Sequence, residues 1–209
     1  YCMKENNWFD PFYIQSHLSE EESNIQKNVR NFCDNELKPT VVERNRKNEF
    51  DQDLYPKFGS LGVLGQTVKT HGGSGTSNLA YGLVAYEFEK IDSSYRSSIS
   101  VQSSLVIHPI NEFGSQEQKD KYLPQLIKGE KIGCFGLTES EAGSDPASMK
   151  TSFKKTKDGY ILNGSKNWIT NSPIADIFII WAIEENKDYK SIEGFISVSY
   201  THLTLPTKS

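Results

Sequence analysis

Apolar residues recur at helical spacing along the first 130 positions. Ile25, Val29, Phe32 and Cys33 fall on one helical face, and Ser19 followed by Glu22 is the capping box that opens it. Lys38-Pro39 interrupts this helix, because proline has no backbone donor and crowds the preceding turn. Leu54, Phe58 and Leu61 mark a short helix ending in Gly62, and Leu79, Leu83, Phe88 and Ile91 mark another. Ser115 and Gln118 form a second capping box ahead of Tyr122, Leu123 and Leu126, with Gly129 as the stop.

From Lys131 the period shortens. Thr151, Phe153 and Lys155 alternate with their neighbours as on a strand, and Lys157-Asp158-Gly159 is a hairpin turn signal. Tyr160-Ile161-Leu162 and Trp168-Ile169-Thr170 read as further short strands separated by a turn at Asn163-Gly164. Ile177 to Ile183 is a mostly apolar run, as a buried strand would be. Helices first and strands second define an α+β class, not alternating βαβ units. The expected organisation is an N-terminal all-α helical domain over residues 1–130 and a small antiparallel β domain over 131–196. Residues 197–209, SVSYTHLTLPTKS, break the preceding character with a Ser/Thr/Pro-rich string that resembles a translated sequencing-adapter tail. They are expected to be non-native and are set apart from fold reasoning. The chain opens on Tyr1, and processing or incompleteness is expected there too.

Composition removes several function classes. A formal charge of −4 and a pI near 5.6 weigh against nucleic acid or an anionic membrane surface as partner. No run approaches the length of a membrane span, so no membrane insertion is expected. The cysteines Cys2, Cys33 and Cys134 have no CxxC spacing and read as free thiols in a reducing compartment. His17, His71, His108 and His202 show no metal-ligand spacing, so no metal is expected. The front of the chain shows no basic segment leading into an apolar run, and no secretory leader is expected. The sequon Asn163-Gly164-Ser165 is accordingly read as a tight turn.

Motifs narrow the chemistry further. His71-Gly72-Gly73-Ser74-Gly75 is not a GxGxxG, and neither a P-loop nor a GxSxG elbow is present. The informative stretch runs from Phe135 to Pro146, FGLTESEAGSDP, with hydroxyls, glycines and many backbone N–H groups. Such a loop can donate hydrogen bonds to an anionic or heteroaromatic ligand. Turn residues also favour plain solvated connections, so residue type alone leaves both readings open. In Asn163 to Asn171, NGSKNWITN, a tryptophan beside a hydroxyl can flank a flat ring, although a strand tryptophan is more often core.

FGLTESEAGSDP followed by LNGSKNWITNSPIAD, with FGSQEQKDKYLPQLIKGE (Phe113–Glu130) leading into them, resembles the paired flavin-binding signature of the acyl-CoA dehydrogenase family. The resemblance runs over nearly all of residues 8–196; one departure is Ser140, where the family usually has proline. It implies FAD as cofactor, held by Phe135, Leu137, Thr138, Gly143 and Ser144 from the first loop and by Trp168, Ile169 and Thr170 from the second. IDSSYRSSISVQSSLVIHPI resembles the glutaryl-CoA dehydrogenase branch, which implies that Arg96, beside Ser97, meets a distal substrate carboxylate; Ser144 is implied to touch the CoA part.

The implied reaction removes hydrogens from the α and β carbons of an acyl-CoA, followed in the glutaryl enzyme by decarboxylation to crotonyl-CoA. Electron-transfer flavoprotein is the implied acceptor and a homotetramer the implied assembly, in bacterial cytoplasm or the mitochondrial matrix. The family takes its catalytic base from a C-terminal helical domain that has no counterpart in this sequence. No catalytic residue is therefore assigned, Glu139 included, and the chain is expected to be an inactive fragment. The competing readings are another acyl-CoA dehydrogenase or oxidase with a monocarboxylic substrate, and a non-catalytic CoA-binding module.

Overall fold

A computed structural model of the protein describes Asp10 and residues 12–199. Cys2, His202 and the tail from Tyr200 on lie outside the described residues. Helices α1 (Glu20–Phe32), α2 (Val41–Lys47), α3 (Leu54–Ser60), α4 (Asn78–Glu89), α5 (Ser93–Ser100), α6 (His108–Phe113) and α7 (Gln116–Ile127) come first. Strands β1 (Gly133–Gly136), β2 (Ser152–Thr156), β3 (Gly159–Asn163), β4 (Ile177–Glu184) and β5 (Ile192–Val198) follow, as the α+β reading requires. The chain divides into two compact units. One holds the residues up to Phe50 together with Thr76–Arg96, and the other holds Asp51–Gly75 and the residues from Ser97 on.

In the first unit α1 packs against α4. Both bonds of the expected capping box are formed: Ser19 Oγ accepts from the Glu22 N–H at 3.2 Å, and the Glu22 carboxylate accepts from the Ser19 N–H at 3.0 Å. Such a cap satisfies donors that the first helical turn leaves open. The buried stripe is Gln26, Val29, Cys33 and Leu37, continued through a π-helical turn at Cys33–Leu37. Gln26 is buried because it donates to Glu87 Oε1 at 2.8 Å. Glu87, 2% exposed, also accepts from Arg30 Nη2 at 2.8 Å and from Lys90 Nζ at 3.3 Å. Burial alone would raise the Glu87 carboxyl, but the Arg30, Lys90 and Gln26 donors outweigh it and hold the group below its ordinary value. Arg30 and Lys90 reach Glu87 from the surface, with side chains 45% and 48% exposed, so water screens the cationic side of the cluster.

The second unit contains the sheet. α3 stops where expected, at Gly62, whose φ of 76° suits a residue without Cβ. α7 carries the second capping box and stops before Gly129, φ 71°. Between α5 and α6 the helix runs as a π-helical segment, Val101–Ile107, lying against β1 and β4. Its Val106 comes so close to Gly133 that a Cβ there would sit 2.5 Å from Val106 Cγ1. Gln102, fully buried on the same segment, donates to the carbonyls of Leu126 (3.0 Å) and Lys131 (2.8 Å) and accepts from the Gly133 N–H (2.7 Å). One amide thus staples the end of α7 and the start of β1 to the helix beneath them.

The sheet is mixed, which corrects the expectation of antiparallel strands throughout. β2 and β3 form the expected hairpin through the Lys157-Asp158 turn, and β4 and β5 are antiparallel from Ile177↔Val198 to Ile183↔Ile192. β1 and β2, however, both run parallel to β4, β1 against residues 177–180 and β2 against residues 183 and 184. With β5 along one edge of β4, β1 and β2 share the other edge in tandem. Ser197 and Val198, the first residues of the expected tail, pair with Phe178 and Ile177.

Trp168-Ile169-Thr170 is also corrected: it forms no strand. The β-prone residue types suggested one, but Trp168 has φ 59° and Asn171 φ 70°, and these left-handed turns bend the chain out of any ladder.

Candidate functional site

The site expected from the sequence is built from two loops of the second unit. Loop A follows β1 and runs from Leu137 to Thr151; loop B follows β3 and runs from Gly164 to Asn171. In loop A a tight turn closes between Glu139 and Ala142, each N–H donating to the other's carbonyl at 3.2 Å. Ser140 sits inside that turn, which closes without the family's usual proline. The Glu139 carboxylate then folds the loop onto itself. Its Oε2 accepts from the Lys150 N–H at 2.7 Å and its Oε1 from the Thr151 N–H at 3.0 Å.

Loop B is fastened to loop A at several points. Gly164, φ 151°, passes so close to Thr151 that a Cβ would lie 2.5 Å from Thr151 Cα. The Asn167 N–H donates to the Thr138 carbonyl at 2.9 Å. Lys166 Nζ donates to the Leu137 carbonyl at 3.0 Å and to Glu139 Oε1 at 2.8 Å. The Lys166 and Glu139 side chains are only 10% and 8% exposed, so this is a buried ion pair 27 positions apart in sequence. Burial by itself pushes the Glu139 carboxyl up, but donors from Lys166, Lys150 and Thr151 prevail and hold it down at about 2. Glu139 is therefore held as an anion inside the loop pair.

The far end of loop B is anchored in the unit's interior. Ile169 packs against Cys134, Ala175 and Phe178. Asn171 Nδ2 donates to the Gly133 carbonyl at 3.1 Å, and its Oδ1 accepts from Ser98 Oγ at 3.1 Å. Ser98 in turn meets the buried Tyr55 hydroxyl at 2.6 Å. Between these anchors Trp168 stands 92% exposed at positive φ. A non-glycine residue in that conformation costs roughly 1–2 kcal/mol, and a bare indole forgoes burial as well. Strain held by over-determined surroundings and spent on displaying an aromatic ring is characteristic of a ligand surface.

The other expected residues fall around this point. Thr138 and Leu137 are half-buried, and Gly143, Ser144 and Thr170 are exposed. Among the described residues, the hydroxyls of Thr138, Ser144 and Thr170 donate to no protein group, which leaves them free for a polar ligand. Phe135 is turned toward Trp181, their rings 6.0 Å apart, and contributes its backbone to β1. Arg96 lies in the first unit, half-exposed on α5, with its Nε donating to Glu89 Oε2 at 2.7 Å. Ser97, next on α5, is half-buried. An apolar cavity of about 150 Å³ between α6 and the sheet, lined by Phe113, Ile179, Trp181 and Phe195 among others, contains none of the expected site residues. No group of side chains suited to holding a metal occurs among the described residues, and no described helix is long and apolar enough to cross a membrane. Sequence reading missed Lys166 and Asn171 as the groups that set loop B. Lys166 lies within the quoted motif, but nothing in its local pattern points to a partner 27 residues away.

With the geometry in place, comparison with known proteins fixes the class. The chain belongs to the acyl-CoA dehydrogenase family: the model of the acyl-CoA dehydrogenase N-terminal domain matches residues 19–130 and that of the middle domain residues 134–202. It is 38% identical over 182 residues to a short-chain specific acyl-CoA dehydrogenase of Clostridium acetobutylicum, covering 86% of this chain and 48% of the relative. It is 41% identical over 168 residues to mitochondrial isovaleryl-CoA dehydrogenase of Pongo abelii, covering 79% and 40%. A glutaryl-CoA dehydrogenase from Mycobacterium smegmatis, solved in complex with FADH2, superposes with a TM-score of 0.87 at 41% identity, covering 91% of this chain and 48% of that one. The chain thus spans about half the length of the relatives it matches or less.

Proposed function

We propose that this chain supplies the helical and FAD-binding parts of an acyl-CoA dehydrogenase, and that its substrate is glutaryl-CoA. The cofactor reading rests on one observation: Lys166 and the Asn167 N–H fasten loop B to loop A, so that Thr138 and Trp168 belong to one surface. The residues fit a flavin. An exposed indole offers a flat apolar wall, and uncommitted hydroxyls of Thr138, Ser144 and Thr170 offer polar partners for a heteroaromatic rim.

FAD, when bound, supplies a hydride acceptor for the β-hydrogen of the acyl chain. The chain's own residues bind and orient. Thr138 and Thr170 would hydrogen-bond the ring system, Trp168 would cover it and exclude water, and the backbone of Phe135, Leu137, Gly143 and Ile169 would support them. Ser144 faces the CoA part. Removal of the weakly acidic α-proton needs a base of higher pKa than Glu139, which is clamped as an anion near 2. We assign that step to no described residue. Electron-transfer flavoprotein as acceptor and a homotetrameric assembly are part of the same proposal, on family resemblance.

The glutaryl assignment rests on Arg96. A distal carboxylate entering an apolar acyl pocket loses hydration and needs a partner, and a guanidinium can hold it through two parallel bonds. A second reading has its own support. Arg96 Nε is already satisfied by Glu89, and two of the three neighbours reported above are named for other acyl-CoA types, short-chain and isovaleryl, against one named for glutaryl-CoA. In that reading the substrate is a short monocarboxylic acyl-CoA. Anaerobic addition of glutaryl-, butyryl- or isovaleryl-CoA to the purified whole protein tests both. A yellow protein bleached first by glutaryl-CoA supports the proposal, bleaching by the others alone supports the second reading, and a protein that takes up no flavin refutes both.

A further inference from the structure

The buried pair Lys166–Glu139 does more than its location in a loop requires. Lys166 has a 10% exposed side chain, its stem runs past Gly136, where an added Cβ would lie 3.4 Å from Lys166 Cγ, and its ammonium is spent on two groups of loop A. Its own loop displays Trp168 two residues later, in a conformation that needs outside support. The other supports of loop B act at its ends, at Gly164 and at Ile169 and Asn171. Between them the described ties to loop A are Lys166, the adjacent Asn167 N–H and the longer bond that the Thr151 hydroxyl donates to the Ser165 carbonyl at 3.4 Å, and of these Lys166 alone brings a charge. A surface ion pair would contribute little, whereas this one is desolvated and has each member supported by further hydrogen bonds, the geometry in which such a pair fixes one arrangement.

We infer that Lys166 is a positioning residue for the flavin: anchored by Glu139 and the Leu137 carbonyl, it sets the left-handed turn that presents Trp168 and Thr170. Lys166 does not touch the ligand and acts through the backbone of loop B. This rests on the flavin reading above and extends it to a residue that binds nothing itself. Arginine, which keeps the charge and reaches the same acceptors, preserves the arrangement; methionine, which keeps the stem and loses the charge, releases the turn while leaving Glu139 buried without its cation.

The test uses the whole protein in apo form, FAD as titrant and amide hydrogen exchange of residues 166–171 as a readout independent of turnover. K166M is expected to raise the Kd for FAD by about tenfold or more, the scale seen when an outer support of a bound group is lost. It is also expected to speed exchange at Asn167, whose N–H donates to the Thr138 carbonyl, with K166R close to wild type in both. The double variant E139Q/K166M removes both charges and so restores the thermal midpoint, yet flavin affinity remains weakened and exchange fast; it carries the test if K166M alone fails to fold. A double variant that recovers both stability and FAD affinity overturns the inference, because the pair would then be a stability element only. Equal FAD affinity and equal exchange in wild type and K166M overturn it too. A wild type that takes up no FAD refutes the flavin reading itself, and the exchange comparison then decides alone whether Lys166 orders the turn.

Discussion

Substituting Gly164 by alanine is expected to be the most damaging single-methyl change in the two loops. At φ 151° an L side chain is strained, and the new Cβ would lie 2.5 Å from both Thr151 Cα and Thr151 Oγ1. The obstacle is main chain at the start of β2, which cannot swing aside as the tip of a flexible side chain could. Backbone strain contributes roughly 1–3 kcal/mol and forced overpacking roughly another 1–3 kcal/mol, giving a central figure of about 4 kcal/mol. At roughly 2–4 °C per kcal/mol for a chain of this size, the melting midpoint should fall by about 8–16 °C. Two other glycines separate the contributions. Gly159 has φ 139° with nothing within 4 Å, so Gly159→Ala reports strain alone. Gly143 has neither positive φ nor a near neighbour, so Gly143→Ala should stay within about 0.5 kcal/mol of wild type. Urea unfolding followed by far-UV circular dichroism measures all three. If Gly164→Ala costs no more than Gly159→Ala, the close approach of loop B to Thr151 is wrong, and with it the account of how the loops are joined.

Three further outcomes follow from groups already described. In the whole protein, Arg96→Ala should lower kcat/KM for glutaryl-CoA by about two orders of magnitude, the scale of a lost charge-assisted bidentate contact to the substrate carboxylate, while sparing butyryl-CoA; equal losses would make Arg96 a structural partner of Glu89. The Glu139 pKa is depressed in the folded state, from an ordinary 4.5 to about 2. Its stabilising effect is therefore complete above pH 4.5 and lost as pH falls through 2, and Glu139→Gln should flatten the melting midpoint against pH across that window. An unchanged acid slope would show that the carboxylate is not clamped. Burial pushes the Cys33 and Cys134 thiols up to about 12, so both should resist a thiol reagent in the native protein and react after denaturation; rapid native labelling of either would contradict their burial.

What the sequence made legible was mostly local. Ser19 with Glu22 and Ser115 with Gln118 announce their helices because a cap is chemistry between residues three apart. Lys157-Asp158-Gly159 announces its hairpin for the same reason. Ile177–Ile183 was readable as a largely covered strand because such a strand loses its alternation; Ile177, Phe178, Ile179 and Ala182 are buried, and Ile180, Trp181 and Ile183 half-buried. Pairing direction was not readable: β1 lies beside β4, more than 40 residues away, and no local pattern states that the two run parallel. Trp168-Ile169-Thr170 misled because residue type reports strand propensity, whereas the left-handed φ at Trp168, in a loop fastened on either side, is not written in residue type. The two loops themselves were found through family resemblance. Their residue types alone favoured a solvated connection, and the Lys166–Glu139 pair that joins them became visible only in three dimensions.

The units of this chain are not consecutive stretches. Residues up to Phe50 are completed by Thr76–Arg96, while Asp51–Gly75 belongs with everything from Ser97 on. Neither unit can therefore close in the order in which a ribosome delivers it: the first must wait, holding α1 without its α4 partner, until residue 96 has emerged. Meanwhile α3 is synthesised ahead of all the elements of its own core. No single cut separates the two units intact. Truncation at any one bond leaves at least one of them short of a segment, and limited proteolysis would have to nick at several junctions to release either.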